Sequence, residues 1–408
     1  MSYTETQYNQ ALEELFSKHP SVQKDGFTSN AYKSGLSGML DFDRALGSPW
    51  KKFRSIHVAG TNGKGSVCSM LCSALAAKGY RCALYTSPHL TDFRERMKIV
   101  DEKGVRMVPK DYVWDFLRKY NLDGLSFFEI TTGMAFRWFA DSEVDIAVIE
   151  TGLGGLLDST NIITPELSII TSIGLDHCQL LGDTRALIAR QKAGIFKSGV
   201  PALVATRDDE TLGIFEQTAS EVHCPLFFGE DFESRDIPLD LEADCQKINL
   251  RTVCAALELL GEEDAPDWSL SRAAELTGLE GRWQKVCDTP LTICDIGHNP
   301  AALGPNFRKL EAMGRPLIIV YGIMADKDLA AIVPLMPRSA QYIIVSPRTS
   351  RALGAEALAT AMEGLDHRIA PSVAEGVRMA RRMAEENPET VIYIGGSTFV
   401  VSEAKEVL

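Results

Sequence analysis

The 408-residue sequence has no apolar run of about 18 residues, the length that a helix needs to cross a membrane. Its first residues, MSYTETQYNQALEELF, are polar and acidic, and they lack the basic and apolar regions of an export signal. The nine cysteines are odd in number and include no Cys-x-x-Cys pair, which favours reduced core residues over disulfides. We therefore expect a cytoplasmic protein without a membrane partner.

Basic residues are scarce relative to acidic ones: 42 Lys and Arg stand against 55 Asp and Glu, for a net charge of -13. Such a charge opposes binding along a nucleic-acid backbone, so we expect no nucleic-acid partner. An anionic substrate would have to be held by a few local cations. With 45% hydrophobic and 24% charged residues, the composition also excludes disorder, collagen and coiled coil as the main architecture.

Apolar, β-branched runs of strand length recur along the chain, and stretches with helical spacing follow them. In the first part of the chain the runs lie at 53–59, 144–150 and 166–173, and helical spacing occurs at 66–79 and 184–196. This alternation predicts an α/β fold in which a parallel sheet is covered by helices.

A second series of strand-length runs begins near residue 290, with LTICDI, PLIIVYGI, AQYIIVS and TVIYIGG, and it predicts a second, smaller α/β unit. Residues 248–277 are predicted to form two helices between the two series, and GLEGR at 278–282 is the best candidate for a hinge. We therefore predict two domains, residues 1–281 and residues 282–408.

The glycine-rich segment HVAGTNGKGS at 57–66 follows a predicted strand and opens a predicted helix. Small residues let backbone N–H groups approach phosphate oxygens, the helix N-terminus adds positive potential, and Lys64 supplies a mobile cation. Gly65 stands after that lysine, where the usual phosphate loop has a hydroxyl, so Ser66 or Ser87 would have to supply one. The nucleotide-binding residues predicted from this segment are Gly60, Thr61, Asn62, Gly63, Lys64, Gly65 and Ser66.

Nine motifs, spread over nearly the whole chain, carry a resemblance. They are GTNGKGS (60–66), TSPHL (86–90), FFE (127–129), ETGLGGLLDSTN (150–161), SIGLDHCQLLGDT (172–184), QKAGIFKSGVP (191–201), GRW (281–283), DIGHNP (295–300) and MADKD (324–328). Through them the sequence resembles the folylpolyglutamate synthase/dihydrofolate synthase family, a branch of the Mur ligase superfamily. The resemblance implies a three-layer ATPase domain with a P-loop, followed by a smaller Rossmann-like domain.

The resemblance also implies a reaction, in which ATP hydrolysis drives the addition of L-glutamate to dihydropteroate, a folate or both. A substrate carboxylate attacks the γ-phosphate of ATP, and the glutamate amine then attacks the resulting acyl phosphate. Both steps concentrate negative charge on oxygens, so we expect ATP and Mg²⁺ at two sites as the cofactors. The catalytic residues implied are Lys64, Lys192 and His298.

Metal ligands are expected at strand ends beside the glycine-rich turn, where doubly wound sheets bind their ligands. Glu150 ends a predicted strand and offers the hard oxygen that Mg²⁺ prefers, although a solvated carboxylate is an alternative there. The resemblance adds Ser87, which it favours over Ser66 as the source of the hydroxyl, and His177, which alone would more often be structural. It adds Lys192 as a fourth ligand.

An unmodified lysine would repel a metal ion, and the resemblance implies that Lys192 is carbamylated, with an exposed helix lysine as the alternative. Two residues depart from the family pattern nearby. Gln191 stands where the family usually has Glu, and Leu156 stands where it usually has Arg. These departures change the local charge and leave the reaction class unaffected.

The second predicted domain supplies the other implied contacts. The resemblance assigns Asp295, together with Asn249 of the first domain, to the adenosine and Arg282 to the phosphates. It assigns His298 and Ser397 to the incoming glutamate, and Lys327 is a weaker candidate for a substrate contact.

A flat pterin needs aromatic or apolar faces and a few hydrogen-bonding groups. The positions that match the pterin or pteroate pocket of the family are Arg94, Phe128, Asp158 and Ser159. The segment FTSNAYKSGL at 27–36 resembles the N-terminal substrate loop of the family. Taken singly, Phe128 would more often be a core residue.

Two alternatives stay open. A Mur-type enzyme would join an amino acid to a peptidoglycan precursor, but that group typically has a further N-terminal domain for which there is no room before residue 57. A nucleotide-dependent switch would need one cation, whereas Glu150, His177 and Lys192 predict two metals. We expect a monomer, and the sequence does not separate a monofunctional from a bifunctional synthase.

Overall fold

The computed structural model describes residues 3–19 and 35–408. The described chain forms two compact units. The first comprises the residues up to Asp240 together with Gln246–Leu279, and the second comprises Leu241–Cys245 together with Glu280–Leu408. The chain passes from one unit to the other between Leu279 and Glu280, inside the GLEGR segment.

The first unit contains an eight-stranded sheet with the order β4-β3-β2-β5-β1-β6-β7-β8. Its strands are β1 (Arg54–Ala59), β2 (Cys82–Tyr85), β3 (Met97–Asp101), β4 (Gly104–Met107), β5 (Ile146–Glu150), β6 (Leu167–Ile170), β7 (Ala202–Val204) and β8 (Leu226–Phe228). The glycine-rich segment follows the central strand β1, which pairs in parallel with both β5 and β6.

The second unit contains a six-stranded sheet with the order β13-β12-β11-β14-β10-β9. Its strands are β9 (Gln284–Asp288), β10 (Leu291–Asp295), β11 (Leu317–Tyr321), β12 (Gln341–Ile344), β13 (His367–Ile369) and β14 (Val391–Gly395). Strands β10, β14, β11, β12 and β13 pair in parallel. The predicted α/β class, with a three-layer domain and a smaller Rossmann-like unit, is confirmed.

The prediction of a parallel sheet in the first unit is wrong at one edge, and the sheet of the second unit has an antiparallel edge as well. Strand β3 pairs antiparallel with both β2 and β4, and β9 pairs antiparallel with β10. Two residues, 102–103, connect β3 to β4, and 289–290 connect β9 to β10. Connections that short join only antiparallel strands, because a parallel crossover needs a dozen residues or more.

Helices cover both faces of the first sheet. They are α1 (Glu5–Lys18), α2 (Ser37–Ala45), α3 (Lys64–Ala77), α4 (Lys110–Lys119), α5 (Phe127–Asp141), α6 (Cys178–Leu181), α7 (Arg185–Ala193), α8 (Leu212–Val222), α9 (Gln246–Leu260), α10 (Asp267–Ser271) and α11 (Ala273–Thr277). Helix α3 is buried along most of its length, since it lies between the strands β2 and β5 and the helices α9 to α11. Two helices were predicted over 248–277, but the non-helical backbone of Arg272 divides the second into α10 and α11.

The helices of the second unit are α12 (Pro300–Ala312), α13 (Leu329–Ile332), α14 (Ala355–Ala361), α15 (Val373–Glu385) and α16 (Thr398–Lys405). Short 3-10 turns occur at Pro49–Lys52, Phe93–Arg96, Ser159–Ile162, Gly229–Asp231 and Val333–Leu335. The core of this unit is rich in tyrosine, because Tyr321, Tyr342 and Tyr393 are all buried between the sheet and its helices.

Within the described residues, none of the helices has the length and apolar character that crossing a bilayer requires. The cysteines there are free thiols. Five of them are buried as predicted, at Cys68, Cys72, Cys82, Cys254 and Cys294. The core prediction is wrong for Cys178 and Cys245, which are exposed. Cys178 is the first residue of α6, and Cys245 directly precedes α9, so both lie at helix ends.

Candidate active site

The glycine-rich turn lies between β1 and α3, at the carboxyl end of the central parallel strand. Gly63 is the N-cap of α3, in a left-handed conformation with φ of 87°. A Cβ on Gly63 would lie 2.6 Å from Oδ1 of Asn249, and one on Gly60 would collide with Oγ1 of Thr171. Glycine at both positions is therefore required by close packing against neighbouring segments.

The turn is anchored to the segment that follows β6. The N–H groups of Thr61 and Asn62 donate to the carbonyl oxygen and to Oγ of Ser172, at 2.8 and 2.9 Å. Oγ1 of Thr171 donates to the carbonyl oxygen of Asn62 at 2.6 Å. Because these bonds occupy two of the N–H groups in the turn, the donors left for phosphate are at Gly63 to Ser66, where the first helical N–H groups have no partner within the helix.

Lys64 folds back over this turn. Its Nζ donates to the carbonyl oxygens of Gly60, at 2.9 Å, and Thr61, at 3.2 Å, and it lies 3.9 Å from Oε1 of Glu150. Neutral carbonyl oxygens are weaker partners for an ammonium than phosphate oxygens are. An arriving phosphate group can therefore replace them without breaking a strong ion pair.

Lys192, on α7, is 4% exposed, so the alternative of an exposed helix lysine is excluded. Its Nζ donates to the carbonyl oxygen of Gly60 at 2.8 Å, and the two lysines therefore share one acceptor. Burial, and next the charge of Lys64, lower the pKa of Lys192 to about 7. Near neutral pH a substantial fraction of this side chain is therefore the neutral amine.

Glu150, at the end of β5, is 3% exposed, which excludes the alternative of a solvated carboxylate. Its Oε2 accepts the N–H of Ser87 at 3.1 Å. His177 lies farther along the anchoring segment, as the N-cap of α6 with a left-handed φ of 53°, and its imidazole is 3.9 Å from the carboxylate of Asp176. These contacts join Glu150, Ser87, Lys64 and Lys192 around Gly60, and they place His177 beside Asp176.

A divalent ion fits the donors at Glu150 and Ser87, a buried carboxylate and a hydroxyl. Across residues 3–19 and 35–408, no three His, Cys, Asp or Glu side chains converge to form a complete metal cage. Mg²⁺ usually takes one or two carboxylates and fills its remaining positions with water and phosphate oxygens. The donor set therefore suits a metal that arrives with a nucleotide.

Asn249 lies on α9 directly against the turn, as its contact with Gly63 shows. Its Nδ2 donates to Oε1 of Gln246 at 2.8 Å, and Nε2 of Gln246 donates to Oγ of Ser66 at 3.1 Å. Sequence reasoning missed Gln246, which has no motif of its own. Because Ser66 is buried in this contact, Ser87 is the better placed of the two candidate hydroxyls.

The loop after β5 carries Asp158, which is buried and organises the loop itself. Its Oδ1 accepts the N–H and Oγ1 of Thr160 at 3.0 and 2.5 Å, and its Oδ2 accepts the N–H of Leu153 at 2.8 Å. Burial raises the pKa of Asp158. The neighbouring Ser159 opens the 3-10 turn, and the ring of Phe128 lies against Gly152, so both residues also line this loop.

Arg94 forms a bidentate ion pair with Asp92, with Nη2 to Oδ2 at 2.7 Å and Nε to Oδ1 at 3.1 Å. Two residues later, Arg96 is almost fully buried, and its Nε donates to Nδ1 of His89 at 2.8 Å. Its guanidinium lies 5.1 Å from the centre of the Phe127 ring. Sequence reasoning missed Arg96, since nothing in FRER distinguishes the buried arginine from the half-buried Arg94.

The segment at 27–36 was also predicted to contact substrate, and its residues 27–34 lie outside the described part of the chain.

In the second unit, Asp295 is buried at the end of β10, and burial raises its pKa. The loop that follows it carries His298, whose Nδ1 lies 3.1 Å from the carbonyl oxygen of Ile296. Ser397 follows the adjacent strand β14, where its Oγ accepts the N–H of Val400 at 3.2 Å and caps α16. His298 and Ser397 therefore follow neighbouring parallel strands.

Arg282 lies just before β9 and is half-buried, next to Gly281. Lys327, the weaker substrate candidate, lies in the loop after β11, 3.9 Å from Oδ2 of Asp326. Arg351 contacts the same carboxylate at 2.8 Å and was missed in the sequence.

Two family models match the chain in succession: the Mur ligase middle domain over residues 58–263 and the Mur ligase glutamate ligase domain over residues 281–398. The chain is 32% identical to a folylpolyglutamate synthase of Lacticaseibacillus casei over 407 residues, covering 91% of this chain and 93% of that one. The chain belongs to the folylpolyglutamate synthase/dihydrofolate synthase family. A dihydrofolate synthase/folylpolyglutamate synthase of Escherichia coli is 31% identical over 376 residues and covers 86% of each chain.

Solved structures of this family agree. FolC of E. coli in complex with DHPP and ADP has a TM-score of 0.83 and 27% identity, covering 98% of this chain and 97% of its own. A bifunctional folylpolyglutamate synthase/dihydrofolate synthase with Mn, AMPPNP and L-glutamate bound has a TM-score of 0.76 and 27% identity, covering 92% of this chain and 94% of its own. The resemblance is confirmed, and the chain is an ATP-dependent ligase of the Mur ligase fold. The roles of the individual site residues stay predictions.

Proposed function

We propose that this synthase adds L-glutamate to dihydropteroate, to reduced folates or to both, through an acyl phosphate and with release of ADP and phosphate. One observation carries the proposal beyond family membership. Two lysines, Lys64 and Lys192, share the carbonyl oxygen of Gly60 beside the buried Glu150, in a turn whose free N–H donors lie at the start of α3. This is an arrangement for a polyphosphate and its metal ion.

In the first step, a carboxylate of the pteroate or folate attacks the γ-phosphorus, and ADP leaves. Negative charge then grows on the oxygens of the transferred group. Lys64 exchanges its carbonyl partners for those oxygens, and the N–H groups of Gly63 to Ser66 hold the phosphates next to it. Asn249, Arg282 and Asp295 contribute the remaining nucleotide contacts in this proposal.

Glu150, Ser87 and His177, with a modified Lys192, are the proposed ligands for two Mg²⁺ ions. When bound, these ions neutralise phosphate charge and polarise the transferred group. The buried amine of Lys192 supports the modification, because a neutral amine attacks CO2, forms an N–C bond and releases one proton to give an anionic carbamate. The carbamate turns a cation that would repel the metal into a ligand.

In the second step, the α-amine of glutamate attacks the acyl carbonyl, and phosphate leaves as the amide forms. His298 and Ser397 follow neighbouring strands and are the proposed glutamate contacts. Phe128, Asp158, Ser159 and Arg94 are the proposed pterin contacts, although Asp158 would act mainly by shaping its loop. We propose that the enzyme works as a cytoplasmic monomer.

The reaction is tested by phosphate release with dihydropteroate, tetrahydrofolate or a muramyl precursor, each with and without glutamate. We expect release that depends on glutamate with at least one of the first two and none with the muramyl precursor. Release that depends on the muramyl precursor would contradict the proposal. Release without any acceptor would indicate a nucleotide switch.

The carbamate is tested separately at Lys192. We expect Lys192→Ala to lose most activity and small carboxylates to restore part of it, whereas Lys192→Arg keeps a charge but cannot be carbamylated and stays inactive. Intact mass measured in bicarbonate should show the added CO2 on the unaltered enzyme. A bare Lys192 together with an active Lys192→Arg enzyme would refute the modification.

A further inference from the structure

The carboxylate of Asp295 ties together two loops of the second unit. Its Oδ2 accepts the N–H of Trp283 at 2.8 Å, and its Oδ1 accepts the N–H of Gly297 at 2.8 Å. The first bond fixes the GRW segment, and the second fixes the DIGHNP segment. Arg282 stands in the first of these, directly before the clamped Trp283.

The GRW segment has a left-handed backbone on both sides of Arg282, and it is strained at Trp283. Gly281 has a φ of 69°, and Trp283 has a φ of 51°, which is unfavourable for a bulky side chain. Besides the Asp295 bond, the N–H of Gly281 donates to Oε1 of Gln284 at 3.0 Å, and its carbonyl oxygen accepts the N–H of Ile296 at 3.0 Å. The backbone that carries the arginine is thus held by these surrounding hydrogen bonds.

The indole ring of Trp283 supplies a further anchor. It is 2% exposed and belongs to the core of the unit, with the ring of Tyr393 centred 6.2 Å away. Nζ of Lys309 lies over the indole ring, 4.8 Å from the ring centre. Because the ring is fixed, a change in the backbone bond of Trp283 moves the arginine side of the turn rather than the ring.

Asn306, on α12, is the third hydrogen-bond donor to the carboxylate of Asp295. Its Nδ2 donates to Oδ1 of Asp295 at 2.8 Å and lies 3.5 Å from the hydroxyl of Tyr393, and the side chain is buried. Asn306 lies in none of the nine family motifs, so sequence reasoning gave it no role. Its amide sets the orientation of the carboxylate that holds both loops.

We propose that Asn306 is a positioning residue for Arg282. It orients the carboxylate of Asp295, which holds the backbone N–H of Trp283, and it thereby fixes the direction in which the guanidinium of Arg282 is presented to the phosphates of ATP. The inference rests on the proposed function, since it assumes that Arg282 contacts the nucleotide. It assigns no substrate contact to Asn306 itself.

The test is a double-mutant cycle with Asn306→Leu and Arg282→Ala, in which KM for ATP, kcat and thermal stability are measured for the full chain. We expect Asn306→Leu alone to raise KM for ATP on the order of tenfold, the loss of about one hydrogen bond to a charged group. In the Arg282→Ala background the same substitution should change KM less than about twofold, because the residue it positions is absent.

Thr292→Val is the matched control, since Thr292 is buried on the same strand β10 and its Oγ1 donates to the carbonyl oxygen of Pro290 at 3.0 Å. It should lower stability and leave KM for ATP unchanged. Asn306→Ser removes the amide without adding an apolar branch, and it carries the same expectation if Asn306→Leu does not fold.

Two results would overturn the inference. Equal effects of Asn306→Leu with and without Arg282 would make Asn306 merely structural, and so would an unchanged KM in both asparagine variants. Failure of the unaltered enzyme to release phosphate with any folate would instead overturn the proposed function, and this inference would fall with it.

Discussion

The two glycine-containing turns of this enzyme hold charge in opposite ways. In the first unit, the ammonium groups of Lys64 and Lys192 are held by backbone carbonyl oxygens. In the second unit, the carboxylate of Asp295 is held by two backbone N–H groups and an amide. The backbone therefore serves as acceptor in one turn and as donor in the other.

The difference lies in what each charge can still bind. The carbonyl partners of Lys64 are weak and can be exchanged for phosphate oxygens. Asp295 already accepts three hydrogen bonds, and a carboxylate has about four acceptor positions, so one remains for a nucleotide contact. We therefore expect the first turn to act mainly in ligand binding and the second to act in the stability of the unit as well.

The largest expected effect comes from Lys64→Ala. The partners of this cation are two carbonyl oxygens and, at 3.9 Å, the carboxylate of Glu150. Its removal should lower kcat for phosphate release by about 100- to 1000-fold, and the free energy of unfolding should change by less than about 1 kcal/mol. Stopped-flow phosphate release and urea unfolding measure the two quantities. Lys103→Ala, at an exposed position, is the control and should change neither. A large loss of stability in Lys64→Ala would erase the contrast between the turns.

Asp295→Asn should show the reverse balance. The substitution removes the negative charge of a carboxylate that accepts two backbone hydrogen bonds and one from Asn306. Hydrogen bonds to a charged group contribute about 1.5 to 3 kcal/mol each. We expect the free energy of unfolding to fall by at least 2 kcal/mol, measured by urea titration, alongside weaker ATP binding. An Asp295→Asn enzyme of full stability with poor ATP affinity would show that the carboxylate is a ligand contact only.

Gly63→Ala and Gly79→Ala compare the two ends of α3. Both glycines have left-handed backbones, with φ of 87° and 96°, so each alanine should cost roughly 1 kcal/mol of stability. Only at Gly63 would the new Cβ meet Asn249, whereas nothing lies within 4 Å of a Cβ at Gly79. We therefore expect KM for ATP to rise in Gly63→Ala alone; equal values in both variants would contradict the packing account of the turn.

The smallest effects concern pH and have opposite signs in the two regions. His57, buried beneath the first turn, has its pKa lowered from 6.5 to about 3 by burial and then by Lys197. Below pH 6.5 the unfolded chain takes up a proton that the folded one refuses, so stability falls by up to about 1.4 kcal/mol per pH unit from this group. His57→Gln should flatten that acid limb.

Asp295 has a raised pKa, so its folded form keeps a proton to higher pH than its unfolded form, and its contribution to stability falls as the pH rises above 3.8. In Asp295→Asn the free energy of unfolding should therefore fall less as the pH rises. Its decrease at acid pH, which is due to His57, should stay the same. Urea unfolding between pH 4 and 8 measures both. A steeper acid limb in His57→Gln would contradict the assignment.

The sequence was sufficient for the elements whose signals are local. The strand before HVAGTNGKGS, the helix after it and the end of β5 at Glu150 were all predicted, because apolar runs and glycines mark them directly. The antiparallel edges were missed for two reasons. Strand β3 has the apolar character of a parallel strand, whereas β9, with the sequence QKVCD, has little apolar signal. Only the two-residue connections to β4 and β10 reveal the direction.

The contacts between distant segments were beyond the sequence. The sequence does not distinguish Lys192 from an exposed helix lysine, because its Nζ donates to the carbonyl oxygen of Gly60, 132 residues away in the chain. Arg96 and Asn306 are similar cases, because burial of a charged or polar side chain depends on partners that no pattern around the residue reveals.

The central claim, an acyl phosphate made from a pteroate or folate carboxylate, is tested most directly by isotope transfer. The acceptor carboxylate is labelled with ¹⁸O, the unaltered enzyme turns over with ATP and glutamate, and the released phosphate is analysed by mass spectrometry. We predict one ¹⁸O atom in each phosphate, because the carboxylate oxygen that attacks the γ-phosphorus leaves with it. Amide formation that yields unlabelled phosphate would contradict the account.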